Sequence, residues 1–353
     1  MSPQQTRQWV LQNPPQKDAV LSGPDATFSL QTIDLAAPSA DQALVKVLYF
    51  SNDPAQRGWI QKNQDPARLY VPPVQVGEVM RSYGIGQVIE SGSDTLKPGQ
   101  LVMGALGWTE YAVVKVQDVR PIQADEASGI RATHFLGTLG VTGLTAYYGL
   151  LEIARATKDD IVVVSGAAGA TGSVAVQLAK HVVGCKKVIG IAGGAAKCAW
   201  VQSLGADVCL DYKAPSFTQD VLDATPGFVH VYFDNVGGHI LDLMLTRLAP
   251  HGRIAACGSV ATYNAPGSQG LKNWFEVITN RLEIKGFIVL DAMAAGKAPA
   301  WLAELAKAAK QGKIQMGEDT ETVVPTKFDH VPKTWTMLFE GGNQGKLITA
   351  LTA

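Results

Sequence analysis

The stretch Ile161-Val-Val-Val-Ser-Gly-Ala-Ala-Gly-Ala-Thr-Gly-Ser173 constrains this chain more than any other. Ile161 to Val164 are all β-branched and read as a buried parallel strand. Gly166, Gly169 and Gly172 follow at spacing three, and Ser173 to Lys180 reads as an amphipathic helix. Strand, glycine turn and helix in that order open a βαβ unit of the phosphate-binding kind. The glycines let the backbone approach a pyrophosphate, and the helix N-terminus supplies free N–H groups and a partial positive charge. Taken alone the glycines also fit a tight βα turn without a ligand. The flanking strand and helix favour the phosphate loop.

Around this stretch the chain has two textures. From Trp9 to about Pro121 it is β-rich. Ala43 to Phe50 alternates, and Gly84 to Glu90, Leu101 to Met103 and Trp108 to Val114 read as further strands. Breaks at Asp53-Pro54 and Pro72-Pro73 predict loops. Short strands with frequent turns predict a partly open β-barrel. Past Arg131 strands and helices alternate: strands at Val188–Ala192, Val208–Leu210, Val229–Asp234, Arg253–Cys257 and Glu283–Val289, with helices at 195–204, 240–248 and 301–310. That pattern predicts an α/β fold with a doubly wound (Rossmann) parallel sheet. The expected division is residues 1–131 with 315–353 as the barrel domain, and 132–314 as the dinucleotide-binding domain.

The 353 residues are 46% hydrophobic and 17% charged, with a formal net charge of −1. No broad basic excess points to nucleic acid. No apolar run is long enough to span a bilayer. The segment MSPQQTRQWVLQNPP lacks an apolar signal core, so a cytoplasmic protein is expected. Cys185, Cys198, Cys209 and Cys257 are scattered without a CxxC pair and read as reduced structural thiols.

An NAD site carries an acidic residue about 20 positions past the glycines, gripping the ribose 2′-hydroxyl. Here the second strand ends Ile189-Gly-Ile-Ala-Gly-Gly-Ala-Ala-Lys197, without Asp or Glu at its tip. A carboxylate repels a 2′-phosphate and an ammonium attracts it, which favours NADPH. Lys197 alone also fits a solvated helix face. Tyr212, at the end of the third strand, is either a neighbour of that phosphate or a rim aromatic.

Several segments together resemble a known family: Leu136 to Glu152, Ala167 to Ser173, Tyr232 to Gly238, Arg253 to Asn264, Gly341 to Lys346, and Ser51 to Pro54 with Arg57. The chain resembles the zinc-independent medium-chain dehydrogenases/reductases, among them the prostaglandin/leukotriene reductases, alkenal double-bond reductases and curcumin reductases. The resemblance implies NADPH-dependent reduction of the C=C bond of an α,β-unsaturated aldehyde or ketone, on a GroES-like barrel joined to a Rossmann domain. It implies Gly169, Ala170, Thr171 and Gly172 at the pyrophosphate, and Lys197 and Tyr212 at the 2′-phosphate. On the nicotinamide side it implies Asn235, Cys257, Gly258, Ser259, Tyr263, Phe287, Ile288, Val289 and Asn343. It also implies a homodimer paired through the edges of the nucleotide sheets. The chain departs from its relatives at Gly140 to Gly143, Asp53 to Arg57 and residues 70–80, which bears on substrate identity.

A catalytic zinc needs three protein ligands and an open position. The first domain contains no Cys, His134 at the domain boundary lies in a small-residue stretch, and Glu78 follows Gly77 without the His of a Gly-His-Glu motif. No metal is expected. Conjugate hydride transfer puts negative charge on the substrate carbonyl oxygen, where a positioned donor lowers the barrier. Tyr263 is the candidate, as donor to that oxygen or as proton source for the α-carbon, with a ribose hydroxyl or water competing. Covering the nicotinamide is its plainer role. Tyr49, Asn52, Asp53, Arg57 and Trp108 are candidate pocket walls. Core packing competes for Tyr49 and Trp108, and mutual pairing for Asp53 and Arg57. Quinone reduction, a pathway-specific enoyl reductase and a non-enzymatic NADPH-binding protein remain the alternatives.

Overall fold

The computed structural model describes residues 3–125, 129–265 and 270–352. The chain divides into two compact units, residues 1–136 with 322–353 and residues 137–321.

The first unit is antiparallel. Strand β1 (Gln5–Leu11) pairs with β2 (Phe28–Asp34) as a separate ribbon. The larger sheet is built on β3 (Gln42–Ser51), which pairs along one edge with β4 (Tyr83–Ser91). Next come β5 (Leu101–Ala105), β6 (Tyr111–Lys115) and β7 (Val119–Pro121). The first half of the other edge of β3, Gln42 to Lys46, pairs with β6. Ala43, Val45, Val47 and Phe50 are buried in one core with Phe28, Trp108 and Trp335. The Trp108 ring lies 5.0 Å from Phe28 and 5.9 Å from Trp335, centroid to centroid. Trp108 therefore precedes its strand, which starts at Tyr111.

The second unit is a parallel sheet of β8 (Ile161–Ser165), β9 (Lys187–Ala192), β10 (Val208–Asp211), β11 (Val229–Asp234), β12 (Leu248–Ala256) and β13 (Glu283–Gly286). Their order is β10-β9-β8-β11-β12-β13. The order reverses beside β8, and in such sheets ligands bind at that switch, outside the carboxyl ends of the strands. Two expectations change. Strand β13 stops at Gly286, and Val289 already opens a helix, Val289–Ala294. The helix after the glycine turn, Ala170–Gln177, is not amphipathic. Residues 172 to 179 are all buried, because the helix is held between β8 and the Val141–Tyr147 helix. Its run of small and apolar residues suits burial on every side.

The chain then returns to the first unit through β14 (Glu321–Thr326) and β15 (Lys346–Leu351). Strand β15 takes the remaining half of the β3 edge, pairing Ile348, Thr349 and Ala350 with Ser51, Phe50 and Tyr49.

Candidate active site

In the parallel unit, β8 ends in the glycine turn. Gly166 has φ +58°, and Gly169 precedes the helix in extended conformation. The Gly169 N–H donates to Gly166 O at 2.9 Å, and the Ala167 N–H to Ile191 O on β9 at 3.0 Å. A Cβ on Gly172 would fall 2.2 Å from Gly166 O, so only glycine lets the helix start this close to the turn. The first amides of the Ala170–Gln177 helix, including those of Ala170, Thr171 and Gly172, lack intrahelical acceptors and point out of the helix end.

Next to this turn lies the tip of β9. The Tyr212 ring lies so close to Gly193 that a Cβ there would meet its atoms at 2.8–2.9 Å. Burial, reinforced by the charge of Lys213, pulls the Lys197 ammonium below its usual range. Lys197 and Lys213 are thus close enough for their charges to act on each other, and an anion bound nearby would lower that repulsion. Lys213 was not foreseen, although it directly follows Tyr212. Asp211 was not foreseen either. Its Oδ1 accepts the N–H groups of Gly194 at 2.8 Å and Lys213 at 2.9 Å, so a carboxylate does reach the β9 tip, from the neighbouring strand. These backbone bonds lower its pKa from the usual carboxylate value and tie the Gly193–Gly194 turn to β10. Glycine cradle, helix end and lysine pair fit the pyrophosphate and 2′-phosphate of NADPH.

The loops after β11 and β12 are knitted together. Asp234 is buried, and its Oδ1 accepts from Ser165 Oγ, Tyr232 OH and the N–H groups of Val236 and Gly237, at 2.8–3.0 Å. The Asn235 Nδ2 donates to Ser165 O at 2.7 Å, and its Cβ would lie 3.3 Å from a Cβ on Gly166. Asn235 is thereby seated against the glycine turn. The N–H groups of Cys257 and Gly258 donate to Asp234 O at 2.8 and 3.0 Å. Burial and the Asp234 charge push the Cys257 thiol up to about 12, which keeps it protonated. Tyr263 is half-buried, and its hydroxyl accepts the Ser259 N–H at 3.3 Å. Gly166, Asn235, Gly258 and Tyr263 therefore form one continuous wall at the switch point.

The other implied nicotinamide residues differ in what they expose. The Phe287 ring packs against Tyr148 and Phe233, at 5.4 and 6.2 Å. The Val289 side chain is buried with Leu144, Ala292 and Trp301. Their side chains are committed to packing, and Ile288 between them is half-buried. Asn343 belongs to the antiparallel unit, where its Nδ2 donates to Gly345 O at 2.9 Å.

In that unit the candidate pocket walls separate. Trp108 is fully buried in the aromatic core and is no pocket wall. Tyr49 packs on the cluster of Ile85, Met103 and Ile348. Arg57 is fully buried and does not pair with Asp53. Its guanidinium donates to the carbonyls of Pro15 and Lys17, pinning that loop. Burial pulls it below its usual range, opposed by Asp18. Asp53 instead receives Lys346 Nζ at 2.5 Å and Ser51 Oγ at 2.6 Å. Asn52 is buried; its Nδ2 donates to Thr349 Oγ1 at 2.9 Å, while its Oδ1 has no partner among the described residues. Lys346 was missed because it lies 293 residues from Asp53.

Among the described residues no three His, Cys, Asp or Glu side chains gather as a metal site would require. No helix among them is long and apolar enough to cross a membrane.

Residues 7–122 match the family described as the N-terminal domain of oxidoreductase, and residues 170–307 the family described as zinc-binding dehydrogenase. The chain is 35% identical to an uncharacterized membrane protein of Saccharomyces cerevisiae, over 97% of both chains. It is 33% identical to the NADPH-dependent curcumin reductase of Escherichia coli, over 98% of this chain and 96% of the reductase. It is also similar to the crystal structure of CurA in complex with NADPH from Vibrio vulnificus. That likeness has a TM-score of 0.86 at 30% identity and covers 98% of this chain and 99% of the other.

Proposed function

The chain belongs to the zinc-independent medium-chain reductases, the family of the prostaglandin, 2-alkenal and curcumin reductases, and on that premise we propose that it reduces the C=C bond of α,β-unsaturated aldehydes or ketones with NADPH. The observation that supports this reading is the chain of contacts from Gly166 through Asn235 and Gly258 to the Tyr263 hydroxyl, on the loops that follow β8, β11 and β12. Bound NADPH supplies the hydride, which goes to the β-carbon of the substrate. The glycine turn and helix end hold the pyrophosphate, and Lys197 and Lys213 hold the 2′-phosphate. Tyr263 donates a hydrogen bond to the carbonyl oxygen as negative charge develops there, and a proton from Tyr263 or from water then adds at the α-carbon to give the saturated carbonyl. Asn235, fixed by Ser165, orders the wall on which the reacting groups rest.

The test is product analysis by mass, using a panel of enones, enals, quinones and ketones with chelator-treated protein and NADPH. Saturated carbonyl products carrying two added hydrogens support the proposal. Hydroquinones alone would replace it with quinone reduction, and alcohols would overturn the mechanism.

The same reading includes a homodimer. Among the described residues strand β13 pairs only with β12, so it forms one of the two edges of the parallel sheet. Just before it in the chain, Trp274, Phe275 and Ile278 are 52%, 69% and 62% exposed, a concentration of apolar surface that a second copy would cover. A cytoplasmic location completes the proposal. The yeast relative carries the word membrane in its name, and an antibody stain that follows membranes after fractionation would count against that location.

A further inference from the structure

Asp234 carries a charge to which the reading above gives no task. It ends β11 level with Ser165 at the end of β8, on the two strands that flank the switch point. It is only 1% exposed. The four donors to its Oδ1 are all neutral: the Ser165 and Tyr232 hydroxyls and the N–H groups of Val236 and Gly237. Among the described residues no Lys, Arg or His lies within ion-pair distance of it. Neutral dipoles hold a buried carboxylate in place without cancelling its charge. That charge reaches the neighbouring loop and strand. Together with burial, it pushes up both the Cys257 thiol and the Tyr232 phenol.

Burying a charge without a counter-ion is costly. The uncharged amide oxygen of an asparagine accepts from the same kinds of donor, so tying the loops together does not by itself call for a carboxylate. The cofactor offers a reason. Lys197 and Lys213 stand on the β9–β10 side of the glycine turn. If they hold the 2′-phosphate of a dinucleotide seated at that turn, its nicotinamide end falls on the β11–β12 side, over the loops that Asp234 joins. Hydride leaves the neutral dihydronicotinamide as a proton with two electrons and bonds to the β-carbon of the substrate. The ring is left with a positive charge, and the carbonyl oxygen gains the negative one. Tyr263 serves the second charge, and a buried anion suits the first.

We propose that the Asp234 carboxylate favours the oxidised, positively charged nicotinamide over the neutral reduced one, and so assists the departure of hydride. This deepens the reductase reading and rests on it. The plainer alternative is a carboxylate that only knits the loops after β8, β11 and β12.

The experiment measures Kd for NADP+ and for NADPH by calorimetry, with the whole protein at neutral pH, and circular dichroism checks the fold of each variant. Asp234→Asn keeps the shape and an acceptor oxygen and removes the charge. It should weaken NADP+ about tenfold more than NADPH, the scale of two partly buried unit charges. Tyr232→Phe keeps the carboxylate and removes one donor that offsets it, so the ratio of the two affinities should move the other way, by about two- to threefold. Equal losses for both forms in Asp234→Asn overturn the proposal and leave the reductase reading standing. Where that variant does not fold, an unmoved ratio in Tyr232→Phe overturns it instead. An unaltered chain that binds neither form overturns the reductase reading and this proposal with it.

Discussion

Lys346 and Asp53 meet at 2.5 Å across 293 residues of sequence, with the lysine side chain only 3% exposed. The same ammonium donates to Asn52 O at 3.1 Å, so one cation fixes the entire Asn52–Asp53 turn. Lys346→Met removes the cation and leaves a partly buried carboxylate. Breaking a buried pair costs about 3–5 kcal/mol; with Asp53 28% exposed to water, the lower end, about 3 kcal/mol, is expected. Urea unfolding measures it, and a loss below about 1 kcal/mol would show the pair to be structurally idle.

Tyr263→Phe keeps the ring and removes the donor. Loss of one such donor costs about 10²-fold in kcat. NADPH affinity, followed by its fluorescence, should change little. A fall in kcat of less than about threefold would reduce Tyr263 to a cover over the cofactor.

Lys197→Ala and Lys213→Ala should each weaken NADPH binding by roughly 10- to 100-fold, the range for a charge-assisted hydrogen bond. NADH, lacking the 2′-phosphate, should bind as before. Equal losses for both nucleotides would mean that the lysines support the fold and not the phosphate.

His134 offers a pH test. It is buried, its Nδ1 accepts the Arg131 N–H at 3.2 Å, and its Nε2 has no partner among the described residues. Burial, with the Arg131 charge behind it, lowers its pKa to about 4. Above pH 6.5 the ring is neutral folded or unfolded and has no effect on stability. Below 6.5 only the unfolded chain takes up the proton, so stability falls as pH drops towards 4, by about 3 kcal/mol in total. His134→Asn should flatten that part of the profile in denaturant titrations run from pH 7 to 4. An unchanged slope would assign the acid sensitivity to other groups.

For the proposed dimer, Phe275→Glu should yield monomers by light scattering at concentrations where the unaltered chain is dimeric. A chain that is monomeric from the outset removes the dimer from the reading.

The parts of this protein legible in its sequence are those set by local pattern. The strand from Ile161 and the glycines after it needed only β-branching and spacing, and alternation marked β3. What escaped depends on contacts distant in sequence. Ser173 to Lys180 reads as amphipathic, yet residues 172 to 179 are all buried because a second helix covers the face turned away from the sheet. Trp108 has the composition of a pocket wall, yet Phe28 and Trp335 enclose it. Arg57 lies four residues from a carboxylate and spends its donors on backbone carbonyls. Asp211 reaches the tip of a strand that is not its own. In each case the deciding partner comes from another element, and no local window contains it.

The shared edge of β3 bears on how the molecule is made. Its first half is matched by β6 and its second by β15, which follows after the whole of residues 137–321. On a ribosome adding about 5–20 residues per second, the continuous parallel unit is complete and free to fold while its host still lacks a strand. Until Lys346 emerges, Tyr49 to Ser51 present an unmatched strand edge and Asp53 lacks its cation. The pairing of β15 with β3 is therefore the last step by which the antiparallel sheet of this chain closes.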